Sequence, residues 1–488
     1  MALRLRATTG SGAASGPQRP LEGTTAAIPA LLSSALVRST QPFTLRRAPR
    51  AGFAQAATLV LVGILAGLVL QAVFDRYATD TTARQVAEVD QVRGLIERTF
   101  VQPRDSEQLL DGALRGMLGE LDPYSKYYDN TETGDLERQT SGLYDGIGVL
   151  FAPIPERWRI LHPLPESPAL AAGFRVGDLL VTINGEPAAE LELEAVRAHF
   201  ADGSKGPVAV EVEGLDGERR ELEVQPARTT DPTVRRVRMI DNGGDAFDRV
   251  GYASIGSFSR RTPGEFDEAV DGLRDRGARR LVIDLRGNRG GVLGAALAIA
   301  NRFVEEGALL QTESRAGLEV TYAQSGYAKY ADMSVAVLMD GISASASEVL
   351  AGALQDHRAA VLVGERSYGK GTVQSLTPLH ELDGVVRITT AVYRTPSGRL
   401  IERSLGGAWK AGLEPDLAVT PASDEQAQLI ALYLSRYGPP LEHLSAVLAW
   451  QESSGLALVA PPPPDPVLDA ALELLAGRRP VHVAESGQ

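Results

Sequence analysis

The spacing of apolar positions changes character along the chain. From Phe53 to Val73 there is no polar face: the stretch FAQAATLVLVGILAGLVLQAV carries no charge and only two Gln. About 20 apolar residues is the length of a bilayer-spanning helix. From Ala83 to about Asp129 the period is helical. Val86, Val89, Val92, Leu95 and Ile96, then Leu109, Leu110, Ala113, Leu114 and Leu118, recur at three- and four-residue spacing. Leu121-Asp-Pro-Tyr-Ser-Lys126 stops these helices at Pro123. Residues 141–228 alternate instead: Val208–Glu213 and Glu221–Gln225 read as half-buried strands. Between them a short helix opens at Ser167 with Pro168 at its first position, followed by the strand Leu179–Ile183 and the turn Asn184-Gly185.

From about Asp248 to Pro421 strands and helices take turns. Strands are predicted at Val250–Ile255, Arg280–Leu285, Val335–Met339 and Ala360–Val363, and helices at Pro263–Arg276, Leu293–Val304 and Ser345–Asp356. Val385–Thr390 and Leu417–Thr420 add further strands. Such alternation predicts a mixed α/β core with crossover helices. Beyond Ser423 come two helical patterns, then the stiff run Pro461-Pro-Pro-Pro-Asp-Pro466 and a last short helix.

Charge orients the chain. Arg46, Arg47 and Arg50 stand just before the apolar stretch, so by the positive-inside rule they stay cytoplasmic and Asp75 onward lies outside. A cleaved signal peptide is the rival reading, but its apolar region and charged lead are ordinarily shorter. The expectation is one uncleaved membrane helix over 53–73, preceded by a disordered cytoplasmic tail over 1–52. Overall the chain is acidic, at −13, and its first 50 residues are basic, so the exterior part is more acidic still. That argues against nucleic acid as a partner. The absence of cysteine excludes thiolate catalysis and disulfides. None of the six His falls in a metal-ligand spacing, so no metal or other cofactor is expected.

The segment Ser167-Pro-Ala-Leu-Ala-Ala-Gly, followed by Val176-Gly-Asp-Leu-Leu-Val-Thr-Ile-Asn-Gly185, resembles a PDZ domain. The resemblance implies capture of a peptide C-terminus by strand addition and by a nest of backbone N–H groups. The loop it points to is Gly146-Ile147-Gly148-Val149, which by itself is only a tight turn.

Candidate chemistry begins at Asp340-Gly-Ile-Ser-Ala-Ser-Ala-Ser-Glu348, which joins a buried strand to a helix. A serine there sits where free N–H groups and the helix dipole stabilise negative charge. Ser345-Ala-Ser-Glu348 equally fits a capping box, a purely structural motif. A nucleophile needs a base. His357 lies twelve residues along the helix, about 18 Å away at 1.5 Å per residue, so it is read as a helix-end histidine. His162, His199, His380, His443 and His482 have no motif around them. In Val363-Gly-Glu-Arg-Ser-Tyr-Gly-Lys-Gly-Thr-Val-Gln374, by contrast, Lys370 is flanked by Gly369 and Gly371. A buried lysine can be neutral near pH 7 and act as a general base. Gln374 can hold its amine in place, and Gly371 before Thr372 breaks the phosphate-loop pattern.

These two motifs together resemble those of the C-terminal processing peptidases, over about Val86 to Val419. The resemblance implies that Ser345, 25 positions before the lysine, is the nucleophile rather than Ser343 or Ser347. Lys370 is then the base and Gln374 its orienting partner. Asp284-Leu-Arg-Gly-Asn-Arg-Gly-Gly291 matches the family's strand-end loop. Its glycine pair, with Gly291 favoured over Gly290, supplies an oxyanion-hole N–H together with Ala346. The implied order is a helical cap (80–140), a PDZ domain (141–228), a crotonase-like protease core (229–421) and a helical tail (422–488). The expected activity is endoproteolysis of protein substrates with apolar C-termini, outside the cytoplasmic membrane; a homo-oligomer or an adaptor is left open. A non-proteolytic binding protein or an acyl-CoA enzyme on the same scaffold would have no use for Lys370 with Gln374.

Overall fold

The computed structural model describes residues 50–151, 158–201, 203–240, 249–379, 384–403, 411–419 and 465–477. The expected N-terminal tail up to residue 49, the two helical patterns after Ser423 and the proline run up to Pro464 lie outside the described residues. The chain divides into two compact units, Met1–Leu95 and Ile96–Gln488. The first holds most of the helix Arg50–Thr99. Every side chain from Val60 to Gln71 is exposed along it, and so are Val86, Val89 and Val92. Among the described residues no helix is long and apolar enough to cross a membrane. The flanks of the expected span, 53–59 and 72–73, carry no described side chains.

In the second unit the helix Ser106–Gly119 precedes a short strand, Lys126–Tyr128, and a helix, Asn130–Ser141. That last helix has almost no apolar face, which is why hydrophobic spacing does not predict it. Asp129 starts it by accepting the Glu132 N–H at 2.9 Å.

Residues 143–230 build their own small core from Ile147, Ile160, Phe174, Ile183, Val196 and Val210. An antiparallel sheet runs in the order Glu186–Pro187, Leu179–Ile183, Val208–Glu213, Arg219–Val224. Asn184 (φ 50°) and Gly185 (φ 83°) form the tight turn their sequence predicts. Ser167 caps the helix Pro168–Ala172 by accepting the Leu170 N–H at 3.2 Å.

The centre of the unit is a six-stranded sheet, ordered Val234–Ile240, Val250–Ile255, Arg280–Asp284, Ser334–Met339, Val361–Gly364, Leu417–Ala418. The first pair is antiparallel and the rest are parallel. Both faces are covered, as a parallel sheet requires. Leu281, Ile283, Val335, Val337 and Met339 face the helices Thr262–Asp275, Leu293–Ala300 and Ala346–Asp356. Their neighbours Val282, Ala336, Leu338 and Val363 pack with Val467, Ala470 and Ala471 of the C-terminal helix Pro466–Leu475.

A second, five-stranded sheet brings distant segments together. Lys126–Tyr128 pairs with Gly384–Arg394, which also pairs with Thr372–Leu379 and Ala308–Ser314. Ala308–Ser314 in turn pairs with Gly317–Tyr322. Apart from Gly384–Arg394, these strands are short or mix polar and apolar residues without strict alternation, so their sequences give no strand signal.

Candidate active site

The strand Ser334–Met339 runs into a tight turn and then the helix Ala346–Asp356. Asp340 shapes the turn by accepting the Ile342 N–H (3.0 Å) and the Ser343 N–H (2.9 Å) through Oδ1. The three serines then take different fates. Ser343 is buried, with its hydroxyl on the Leu285 carbonyl at 2.9 Å. Ser347 is buried, with its hydroxyl on the Asn288 carbonyl at 2.9 Å. Ser345 alone is half-buried. Its backbone stands at φ 58°, ψ −117°, a conformation that costs an L-residue of order 1–3 kcal/mol and clusters at functional sites. A strained strand-to-helix elbow is how a nucleophilic serine is presented at the end of an α/β sheet.

Glu348 holds this strain. Its buried carboxylate accepts the Ser345 N–H at 2.8 Å, the carboxylate half of the expected capping box. It also accepts the Lys370 N–H (2.9 Å), the Gly369 N–H (2.7 Å) and the Ser367 hydroxyl (2.5 Å). One side chain therefore fixes the backbones of both candidate residues. Burial pushes its pKa above the usual carboxylate value, against these four donors. Glu348→Gln keeps the volume but turns one oxygen into an NH2 facing donors. Chemical unfolding should show a loss of about 2–4 kcal/mol.

Lys370 is half-buried. The Gly371 N–H donates to Glu402 Oε2 at 2.8 Å, and the buried Tyr393 hydroxyl donates to the Lys370 carbonyl. The same Tyr393 hydroxyl meets the Ser345 side chain. The Lys370 Nζ lies 4.5 Å from the centre of the Tyr124 ring. Burial first, and then the Arg387 charge, push the ammonium below its ordinary pKa, while Glu402, Glu348 and Asp122 pull the other way. Tyr124 is brought here by the pairing of Lys126 with Arg387, and Arg387 Nε donates to the Tyr124 carbonyl at 2.8 Å. Asp122 rigidifies the turn by accepting the Tyr124 and Ser125 N–H groups at 2.7 and 2.9 Å. Burial, with Tyr368 next to it, raises the Tyr124 phenol to about 12.

Gln374 stands at a bulge in its strand and does not grip the lysine. Its Nε2 donates to Thr372 Oγ1 (2.9 Å) and Thr389 Oγ1 (3.3 Å), and Thr389 Oγ1 donates to Asp122 Oδ1 (3.2 Å). Among the described residues no hydrogen bond joins Gln374 to Lys370, in contrast to the sequence expectation.

The loop after Arg280–Asp284 closes on Ser345. A Cβ on Gly290 would lie 2.8 Å from Ser345 Cβ and 3.0 Å from the Ala346 nitrogen, so only glycine lets the loop approach this far. Gly291, at φ 144°, is pressed against Phe258. The Gly290 N–H is taken by Asn288 Oδ1 at 2.8 Å. Among the described residues neither the Gly291 nor the Ala346 N–H has an acceptor in the fold.

The remaining expectations sort as follows. Gly146 ends the strand Leu143–Gly146, Ile147 is buried in the small core, and Gly148 (φ 76°) leads into the strand Val149–Phe151. His357 ends its helix, but its ring sits on the Ala308 carbonyl at 2.7 Å rather than on the last helical carbonyls. His162 is on the Pro163 carbonyl and His199 is beside Glu186. His380, His443 and His482 lie outside the described residues. Tyr124, Asp122, Arg387, Tyr393 and Glu402 surround Lys370 without having been assigned a part from sequence. For Asp122 and Tyr124 the one signal is the Asp-Pro-Tyr-Ser stretch, legible only as a helix stop.

The chain is similar to known proteases along most of its length. The model for peptidase family S41 matches residues 249–419, and that of the activating protease CtpB N-terminal domain matches residues 70–133. The carboxyl-terminal-processing protease of Picosynechococcus is 32% identical over 67% of this chain and 77% of its own length. The carboxy-terminal processing protease CtpA of Bacillus subtilis is 31% identical over 67% and 69%. The carboxy-terminal-processing protease of Bartonella bacilliformis is 28% identical over 81% of this chain and 89% of its own length. The solved photosystem II D1 C-terminal processing protease is 26% identical, with a TM-score of 0.41, over 71% of this chain and 92% of that one. The chain belongs to peptidase family S41, among the carboxy-terminal processing serine proteases.

Proposed function

We propose that this peptidase hydrolyses protein substrates near their C-termini by a Ser–Lys mechanism. The observation that carries the reading is the strained Ser345, tied to the Lys370 backbone through one carboxylate. In the first step the neutral Lys370 amine takes the Ser345 hydroxyl proton while Oγ bonds to the scissile carbonyl carbon. The oxyanion is received by the free N–H groups of Gly291 and Ala346. The C–N bond then breaks as the Lys370 ammonium returns the proton to the leaving amine. A water, deprotonated by the same lysine, then bonds to the acyl carbon; the bond to Ser345 Oγ breaks, and Oγ takes the proton back from the Lys370 ammonium, freeing the acid and restoring the neutral amine. Among the described residues no side-chain hydrogen bond joins Ser345 to Lys370, whose Nζ stands over the Tyr124 ring, so transfer begins with rotation of the amine away from that ring. Gln374 orients the lysine indirectly, through Thr389 and Asp122.

Residues 141–228 act as a PDZ domain in this reading. Among the described residues Val149–Phe151 is paired on one side only, with Ile160–Pro163, leaving an edge to which a substrate strand can add beside Gly146, Ile147 and Gly148. The preferred substrates end in apolar residues. The helix through Phe53–Val73 is the membrane anchor, and the exposed apolar run Val60–Leu70 supports it. Because the chain has no cysteine, topology has a clean test. A cysteine at Asp75 should react with an impermeant maleimide in spheroplasts, and one at Thr44 only after lysis; the reverse pattern refutes the orientation. The peptidase reading is tested with a fluorophosphonate probe. Labelling should vanish in Ser345→Ala, and labelling that survives there overturns the assignment.

A further inference from the structure

We propose that the C-terminal helix positions the active-site loop: Asp465, at its start, grips Arg286 and so holds Leu285–Gly291 against Ser345. The functional half of this inference rests on the protease reading above.

Arg286 lies two residues past the end of its strand, at the root of the loop that carries Gly290 and Gly291. Its guanidinium is shared between two carboxylates. Nε and Nη2 donate to Asp284 at 3.0 and 2.6 Å, while Nη1 and Nη2 donate to the two oxygens of Asp465 at 2.8 Å each. The second pairing is bidentate and charge-assisted, the geometry in which an arginine is held most firmly. Asp284 is itself fixed, since it is buried and accepts the Tyr252 hydroxyl at 2.6 Å. The loop beyond Arg286 is bound to the Ser345 turn at several points. The Gly287 N–H reaches Asp340 Oδ2 at 2.9 Å, and the Asn288 carbonyl receives the Ala344 N–H (3.0 Å) and the Ser347 hydroxyl (2.9 Å). Displacement of Arg286 therefore reaches the two glycines through Gly287 and Asn288, whose Oδ1 accepts the Gly290 N–H at 2.8 Å.

Asp465 comes from far along the chain, with the helix it caps. Its Oδ1 accepts the Leu468 N–H at 3.0 Å, and Val467, Ala470 and Ala471 are buried against the sheet. The apolar face supplies the docking and Asp465 converts it into a fixed guanidinium. This gives the C-terminal helix a part in catalysis through the loop it fastens.

The two jobs of Asp465 can be separated. Asp465→Asn keeps a good helix cap but removes the charge that holds Arg286. The full chain in detergent is compared with Asp465→Asn and Asp465→Glu. The readouts are hydrogen exchange of residues 285–291, the rate of Ser345 labelling by a fluorophosphonate at saturation, and thermal unfolding. Asn should raise exchange in the loop and slow saturated labelling about tenfold, less than deletion of an oxyanion donor would, with a half-saturating probe concentration that stays unchanged and a fall in melting temperature too small to unfold the chain at the assay temperature. Glu should recover most of both effects. Unchanged exchange in 285–291 overturns the proposal. So does a labelling loss fully explained by a lower folded fraction. A wild-type chain that does not label refutes the protease reading instead, and the exchange result then decides the coupling alone.

Discussion

Ser345→Gly should abolish peptide hydrolysis and at the same time make the protein more stable. The loss of turnover is expected to be on the order of 10⁴–10⁶-fold, the scale seen when a serine nucleophile is removed. The gain follows from the backbone. At φ 58°, ψ −117° an L-side chain is strained and glycine is not, so thermal unfolding should show a gain of about 1 kcal/mol. Ser345→Ala keeps a Cβ and with it the strain, so it should be equally inactive and close to wild type in stability. The two variants together separate chemistry from strain. An unstabilised or destabilised Ser345→Gly would mean that the elbow is imposed without cost and that the geometry is no sign of a nucleophile.

Lys370→Ala should lower kcat/KM by roughly 10³–10⁵-fold, since both acylation and leaving-group protonation lose their proton carrier. The fold should survive, because the loop is held through the Lys370 backbone by Glu348 and Tyr393. Lys370→Arg should not rescue it, as a guanidinium is never neutral in this range. The active form is the neutral amine, so activity rises with pH as the ammonium deprotonates. Burial and Arg387 lower that pKa, which places the acid limb of kcat/KM below the ordinary lysine value. Removing the Arg387 charge as Arg387→Gln makes the ammonium easier to keep, so the limb must move to higher pH. An unmoved limb, or an active Lys370→Ala, removes Lys370 as the base.

Much of the core was legible because of where it sits. The strands at Val250, Arg280, Val335 and Val361 are covered on both faces, so they read as short apolar runs with helices between them. The elbow and the lysine loop were legible as motifs. What stayed hidden depends on partners far away. Tyr124 reaches Lys370 only because Lys126–Tyr128 pairs with a strand more than 250 positions later, and no local pattern announces that. Glu348 read as a cap, and it is one, but its other three donors come from the segment Ser367–Lys370. The amide of Gln374 has hydroxyl partners within its own sheet, so proximity in the motif did not become contact. Asp465 looked like an interruption in a proline run, whereas it is the point at which the tail is fastened.

The carboxylate of Glu348 has a bearing on control. Since it binds the main-chain amides of Ser345 and Lys370 at once, those two segments cannot be pulled apart without exposing a buried charge, at a cost of several kcal/mol. In the proposed mechanism the backbones of Ser345 and Lys370 are therefore held to each other, and the lysine side-chain torsions carry the amine to the hydroxyl. If Ser345 and Lys370 are the pair proposed above, their relative backbone placement is not a point of control, and the lysine torsions and the facing glycine loop are what a signal can move.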